Sequence, residues 1–388
     1  MATPPPAPTA TTKQNTARSA ARRGTIPQAH PAAIVSTSGA YDGGNSGSTL
    51  VIDETLNVVS QPSAWYGVGE NLTSINTYKD GSGSTIRRDG QFFYTGKSAI
   101  EVGKESVQWT GGDPNTNKPG FAPFLFPTLV AAAHPKAREI EIDLYGNVHQ
   151  TELIDPMSKA LMGEHVITVL DSDTVEGITK REVLIRVHLE KVLLEEIGAI
   201  VNASSLCHAG SNTPLLDPTK PNAVLGFGGK TFNVAIFQGS RAILEPQAIS
   251  LGGWNLINAI STQSSLKQRL AKVGCPVVGA VDVSLIKEGL ESGTFEIGLS
   301  GISFRPEYNA LLEPVLVRPA LNHATNLVKG SNVDRVLVSG GCSLAPGLVD
   351  LVSASYPGKV VSTGMGPIDN ARGLAIRAVI KRRQRLGK

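Results

Sequence analysis

Three short turns in this chain carry the residue types from which an anion site is built. They read Asp42-Gly43-Gly44-Asn45-Ser46-Gly47, Gly226-Phe227-Gly228-Gly229-Lys230-Thr231 and Ser339-Gly340-Gly341-Cys342-Ser343. Glycine removes the side chain that would keep a backbone N–H away from a phosphate. Each turn sits against a stretch of strand-forming residues. Two hairpin turns, with a third turn that opens a helix, predict a nucleotide held between two lobes.

Each turn also has a plainer reading. Gly228-Gly229-Lys230-Thr231 is not a P-loop, because Val224 stands where the first glycine belongs and a strand follows rather than a helix. It is not a dinucleotide fingerprint either, since Thr231 replaces the third glycine. An ordinary glycine-rich β-turn remains the alternative. Asp42 can hold a water of a bound Mg2+ beside a phosphate cradle; a turn aspartate bonding its own backbone is the plainer reading. Gly340 and Gly341 leave room for a flat ring or a phosphate at a helix start, or simply supply the positive φ of a strand-to-helix turn.

The elements that must position these turns are legible from periodicity. Residues 34–36 lead into the first turn and 48–53 lead out, as in a β-hairpin. Residues 223–225 and 232–237 flank the second turn in the same way. Residues 110–120 read as a loop, and 121–133 as a buried helix. Ile140, Ile142 and Leu144 alternate with acids, and Ile185, Val187 and Leu189 with polar residues, as half-exposed strands do. Gly252-Gly253 opens a helix with Leu256, Ile257 and Ile260 on one face. Residues 336–338 read as a buried strand, and Pro346 as the first residue of the helix after it. A last helix runs from Asp369, its cap, to Arg385. Local strand pairs alternating with helices give an α/β class.

Composition narrows the rest. With 388 residues the chain can bury two cores. No apolar run approaches the ~20 residues of a membrane span, and residues 1–33 lack the apolar core of a secretory signal. They are rich in Pro, Ala and Thr, and read as a disordered tail. Cys207, Cys275 and Cys342 are scattered, which argues for a reducing, cytoplasmic setting and against a disulfide frame or zinc site. The net charge of +3 is uneven: residues 1–33 carry +4, residues 377–388 carry +6, and the body between them is −7. Such basic ends either touch DNA directly or simply solubilise the chain.

The order and spacing of the three turns resemble those of the actin-like ATPases, specifically the ParM/StbA plasmid-segregation branch, over nearly all of residues 34–385. The resemblance implies an actin-like (ribonuclease H-like) two-lobed α/β fold with mixed sheets flanked by helices and ATP with Mg2+ in the cleft. Lobe I would span 34–199, lobe II 200–360, and residues 361–388 would return as a helix to lobe I. Asp42 would be the metal-side residue, with Gly43, Gly44, Asn45 and Ser46 in the first phosphate loop. Gly228, Gly229, Lys230 and Thr231 would form the second. Gly340, Gly341 and Cys342 would meet the adenosine, with Lys287 and Glu288 beside its ribose and base. Asp369-Asn370-Ala371-Arg372-Gly373 resembles the start of the family's closing helix.

Glu195, in Leu194-Glu195-Glu196-Ile197-Gly198-Ala199, falls where the family places the glutamate that orients the attacking water. A one-residue shift would give that role to Glu196, and two solvated acids are the plainer reading. One position departs: the second loop of the family begins with aspartate, and here stands Gly226. Gly226→Asp would restore that carboxylate if the turn accepts a side chain. The implied activity is a weak Mg-dependent ATPase driving filament assembly, with a DNA-binding adaptor on the plasmid as partner and no membrane. A slow or non-hydrolysing nucleotide-gated scaffold and a small-molecule kinase are the alternatives.

Overall fold

The structure is a computed structural model. It describes residues 34–387 apart from 45–46, 73, 104–106, 110–113 and 174–176. The tail 1–33 therefore lies outside the described residues.

The chain begins with β1 (Val35–Gly43), β2 (Gly47–Ile52), β3 (Asn57–Pro62), β4 (Ala64–Gly69), β5 (Gly83–Arg88) and β6 (Gln91–Gly96). Helix α1 (Lys97–Gly103), β7 (Gln108–Trp109), α2 (Pro114–Ala133), β8 (Glu139–Val148), α3 (Ile154–Leu161), β9 (Gly163–Asp173), β10 (Gly177–Leu194) and α4 (Ile197–Ser205) follow. The second half runs β11 (Pro221–Phe227), β12 (Phe232–Gln238), β13 (Arg241–Ile249), α5 (Gly253–Ser261), α6 (Ser264–Lys272), α7 (Val283–Glu291), α8 (Arg305–Leu311) and α9 (Arg318–Val328). It closes with β14 (Arg335–Ser339), α10 (Leu348–Ser355), β15 (Val360–Ser362) and α11 (Asp369–Arg385).

The two sheets repeat one topology. In the first, the order β3-β2-β1-β8-β10 starts as an antiparallel meander and continues through parallel pairs β1–β8 and β8–β10. In the second, β13-β12-β11-β14-β15 does the same. The first sheet is then extended past β10 by β9, β5, β6, β4 and β7. Parallel strands covered on both faces read as near-continuous apolar runs, and β14, parallel to both its neighbours, is buried from Val336 to Ser339.

Each sheet has two covered faces. Beneath the first, α2 and α3 enclose a core with Phe126, Leu129, Leu144, Leu153 and Ile185. On its other face, Ala40, Val51, Tyr145 and Leu193 pack on Ala371, Leu374, Ala375 and Ala378 of α11. The second sheet packs one face on α5–α9, and on the other Val224, Ala235 and Leu337 meet Ala199, Ile200 and Ala203 of α4. Thus α4 leaves the first sheet to cover the second, and α11 leaves the second to cover the first.

Where the two helices cross, only glycine fits. A Cβ on Gly373 would strike the carbonyl of Gly198 and lie 2.8 Å from the amide of Asn202. A Cβ on Gly198 would lie 2.7 Å from the carbonyl carbon of Asn370. Across the contact, Asn370 Oδ1 accepts from the amides of Glu196 (2.9 Å) and Ala199 (3.0 Å), satisfying the free N–H groups that begin α4. Asn202 donates to Asp369 (2.7 Å), which also accepts from Thr363 (2.6 Å).

Three local expectations need correction. Residues 114–120 are the first turns of α2 rather than loop, while 110–113 lie outside the described residues. Pro346 precedes its helix: Gly341–Leu344 is a 3-10 turn, Gly347 takes φ +82°, and α10 starts at Leu348. Asp369 is spent on Asn202 and Thr363 and does not cap α11.

The α4–α11 crossing yields a test. Gly373→Ala should lower the urea unfolding midpoint by an amount equivalent to roughly 1–3 kcal/mol or more, because backbone has to move. An unchanged midpoint would mean that the two helices do not approach this closely.

Candidate functional site

The first two turns occupy equivalent places in the two sheets. In β1–β2, Asp42 pairs with Thr49 and Gly43 with Ser48. In β11–β12, Gly226 pairs with Asn233 and Phe227 with Phe232. Four residues cross over in each hairpin, so Gly226 is the structural counterpart of Asp42. By strand alternation Asp42 shares the face of Ala40, toward α11, and Gly226 that of Val224, toward α4. The two positions therefore lie on the inner faces of the sheets.

The second and third turns are packed together. The Gly228 amide donates to the Thr231 carbonyl (2.8 Å), closing the hairpin. The Gly228 and Gly229 carbonyls accept from the amides of Gly253 (3.1 Å) and Trp254 (2.8 Å) at the start of α5, and Cys342 Sγ donates to Gly228 O (3.2 Å). A Cβ on Gly252 would fall 2.5 Å from Gly229 O, and one on Gly340 (φ +89°) 2.6 Å from Phe227 O. These glycines are needed so that three backbone segments can meet. Gly252 and Gly253 belong to this junction, although in sequence they show only as a helix start. Burial pushes the Cys342 thiol up to about 11, so it stays a neutral donor. Lys230 lies at the tip of the second turn, with its ammonium held below the ordinary lysine range by partial burial.

Glu195 and Glu196 are both buried, which removes the reading of two solvated acids. The Glu195 amide extends the β8–β10 ladder by donating to Val148 O (2.7 Å). Its carboxylate accepts from Asn233 Nδ2 (3.0 Å), and the same Nδ2 lies 3.4 Å from Glu196 Oε1. Asn233 interrupts the apolar run from Phe232 to Phe237, the only sequence signal that marks it. Glu196 has φ +75°, left-handed and strained for a side-chain-bearing residue. Its carboxylate fills the space over Gly226, where a Cβ would lie 2.5 Å from Glu196 Cδ. Gly226 is thus required by space, its φ being ordinary.

Other buried polar atoms at these strand ends have no partner. They include both amide atoms of Asn147, the Ser339 hydroxyl, Asn233 Oδ1 and Glu196 Oε2. Asn147 follows Gly146, which pairs with Tyr41; Ser339 pairs with Gly226. The two therefore occupy matching places beside the two turns. Buried polar groups are normally satisfied, so orphaned donors and acceptors beside glycine cradles fit a polar, anionic ligand with its cation.

Not every candidate residue is drawn in. Asn45 and Ser46 lie outside the described residues. Lys287, on α7, pairs with Glu291 (2.6 Å), and Glu288 is exposed on the same helix. The basic end of α11 is largely occupied by the protein itself. Arg382 and Arg385 both pair with the buried Asp143, Arg382 also donates to Ser36 Oγ (2.8 Å), and Arg383 meets Glu54 (3.0 Å). Asp143, His188 and Glu190 are close enough to share an ion, but Arg385 already reaches both acids. Among the described residues, no helix is long and apolar enough to cross a membrane.

Burial, reinforced by the Glu195 carboxylate, raises Glu196 from an ordinary 4.5 to about 8, against the Asn233 hydrogen bond. The folded value lies above the unfolded one. The stability that Glu196 contributes is therefore complete below about pH 4.5 and drains away as pH rises toward about 8. The ligand-free protein should lose urea resistance over that interval, and Glu196→Gln should flatten the slope. Parallel pH profiles for the two proteins would contradict this burial.

No protein-family model matches the sequence, and no curated protein does. Solved structures do. The actin-like protein Alp7A superposes with a TM-score of 0.66 at 14% identity, over 92% of this chain and 98% of that one. ParM of Bacillus thuringiensis with ATP gives 0.62 at 14%, over 89% and 99%. An archaeal actin homolog gives 0.63 at 17%, again over 89% and 99%. The doubled sheet, the exchanged helices and these superpositions agree: the chain has the two-lobed α/β actin-like fold seen in the ParM-type actin homologs.

Proposed function

We propose that this protein binds Mg-ATP between its two sheets, polymerises into filaments, hydrolyses ATP slowly and segregates plasmid DNA through a DNA-binding adaptor. The observation that carries the reading is the pair of equivalent glycine turns facing a buried Glu195–Glu196 pair. Two similar structures support it by description: one is a ParM with ATP, and another is the Alp12 filament. The filament of Alp12 is the ground for carrying self-association over to this chain, and the ATP of ParM for carrying over the nucleotide.

The residues divide the work. Amides of residues 43–46 and 228–231 would hold the phosphates, with the Thr231 hydroxyl beside them. Asp42 would hold water of the bound Mg2+, whose charge offsets that of the phosphates. Gly340, Gly341 and Cys342 would meet the adenosine; Lys287, on exchanging its partner Glu291, and the exposed Glu288 would stand beside its ribose and base. Glu195 would orient the attacking water. Asn233 fixes the Glu195 carboxylate at 3.0 Å, the kind of support a water-positioning group needs. The protein would act in the cytoplasm. Direct DNA contact through the α11 end is disfavoured, because Arg382, Arg383 and Arg385 are engaged with acids of the same chain.

Sedimentation with ATP, ADP and a non-hydrolysable analogue tests assembly. Filaments should pellet with ATP and persist with the analogue; no nucleotide-dependent pellet would end the filament reading. Asp42→Ala should weaken Mg-dependent ATP binding about tenfold or more. Glu195→Ala should keep ATP affinity, lose phosphate release and lengthen filament lifetime. If Glu196→Ala alone has that effect, the water-orienting role belongs to Glu196. DNA binding, if direct, should weaken steeply with salt and vanish when 1–33 and 381–388 are removed; survival of binding after both deletions would move the contact elsewhere.

A further inference from the structure

The repeat of the two sheets makes one absence conspicuous. Asp42 stands next to last in β1, paired with Thr49. Its counterpart in β11, paired with Asn233, is Gly226, which has no side chain. The space that side chain would take is not empty. It holds the carboxylate of Glu196, so close that a Cβ at 226 would lie 2.5 Å from Glu196 Cδ and 3.0 Å from its Oε2.

Resting on the Mg-ATP reading above, we infer that Glu196 is the second sheet's cation-side carboxylate, delivered from the connection after β10 into the place of a residue-226 side chain. Four independent features of the chain converge on this. The φ of +75° at Glu196 is what turns the side chain away from the β10 direction and over β11. Asn370 Oδ1 holds that strained peptide by its amide (2.9 Å). Asn233, the strand partner of Gly226, lies 3.4 Å from Glu196 Oε1. The other oxygen, Oε2, is buried and has no hydrogen-bond partner, and the charges that act on the group are those of Glu195, Asp42 and Asp369. A carboxylate oxygen buried without a donor among other acids is costly unless a cation meets it. Glu195 would keep its water-orienting role, and Glu196 and Asp42 would be the two carboxylates that hold the cation, whose charge offsets that of the phosphates.

The geometry reverses the expectation for position 226. Gly226→Asp alone does not restore a missing group: it forces two carboxylates into one place. The pair 196/226 should behave as one site with either residue supplying the acid.

The experiment is a double-mutant cycle on the full chain. ATP binding is followed by calorimetry with excess Mg2+ and with excess EDTA, and each protein is melted without ligand. Glu196→Ala and the isosteric Glu196→Gln should each lose about tenfold of the Mg2+-dependent gain in ATP affinity while binding in EDTA is unchanged. Gly226→Asp should melt well below the parent. Glu196→Ala combined with Gly226→Asp should recover both the melting temperature and the Mg2+ gain. Parental Mg2+ dependence in both Glu196 variants, with Asp42→Ala still impaired, overturns the inference and leaves the Mg-ATP reading intact. A double variant no better than Gly226→Asp alone also overturns it. No Mg2+-dependent ATP binding by the parent itself would overturn both.

Discussion

The crossing of α4 and α11 is the contact on which everything else depends. Each helix grows from one sheet and covers the other, so the two sheets can face one another only if these helices pass at backbone distance. Gly198 and Gly373 allow that, and no other residue could, since either Cβ would enter the opposing main chain. The same contact delivers Asn370 to the start of α4, where its side-chain Oδ1 accepts from the amides of Glu196 and Ala199. The packing contact and the chemistry are therefore one device. The glycines set the distance, the asparagine fixes the turn, and the turn places two acids between the sheets.

Electrostatics then divides the interior. Far from the turns, the buried Asp143 is met by Arg382 and Arg385 from the end of α11, which ties that helix to β8. A buried acid with such partners is structural. At the turns, Glu196 is buried among other acids, with Oε1 3.4 Å from Asn233 Nδ2 and Oε2 without a hydrogen-bond partner. Unsatisfied buried groups cost free energy, and proteins keep them where function repays the strain. The contrast between Asp143 and Glu196 is what separates a fastening from a site.

The duplicated topology gives the site its symmetry. Equivalent hairpins close with four residues each, and equivalent parallel strands end in polar groups without partners, Asn147 in one sheet and Ser339 in the other. At the next-to-last positions of β1 and β11 the symmetry is broken, a carboxylate at Asp42 standing against no side chain at Gly226. The first half is enlarged by five extra strands on one edge, away from the turns.

Much of this was legible in the residues. The strand–turn–strand patterns around 43–47 and 228–231, the strand at 336–338 and the last helix to Arg385 follow from short-range periodicity and glycine placement, which depend on neighbours in sequence. The acid pair at 195–196 was visible as a candidate, and so was the gap at 226. What short-range pattern could not supply was the relation between them. Residues 196, 226 and 370 are far apart in sequence, and only the exchange of helices between sheets brings them together. For the same reason nothing local singled out Asn233 or Asn147, Asp369 looked like a helix cap, and the arginines of α11 looked like a free basic end. Sequence determined which elements form and which residues can do chemistry, because backbone preference and side-chain type are local properties. Tertiary structure decided which acid serves which sheet, because a glycine can leave room for a carboxylate that arrives from another segment of the chain.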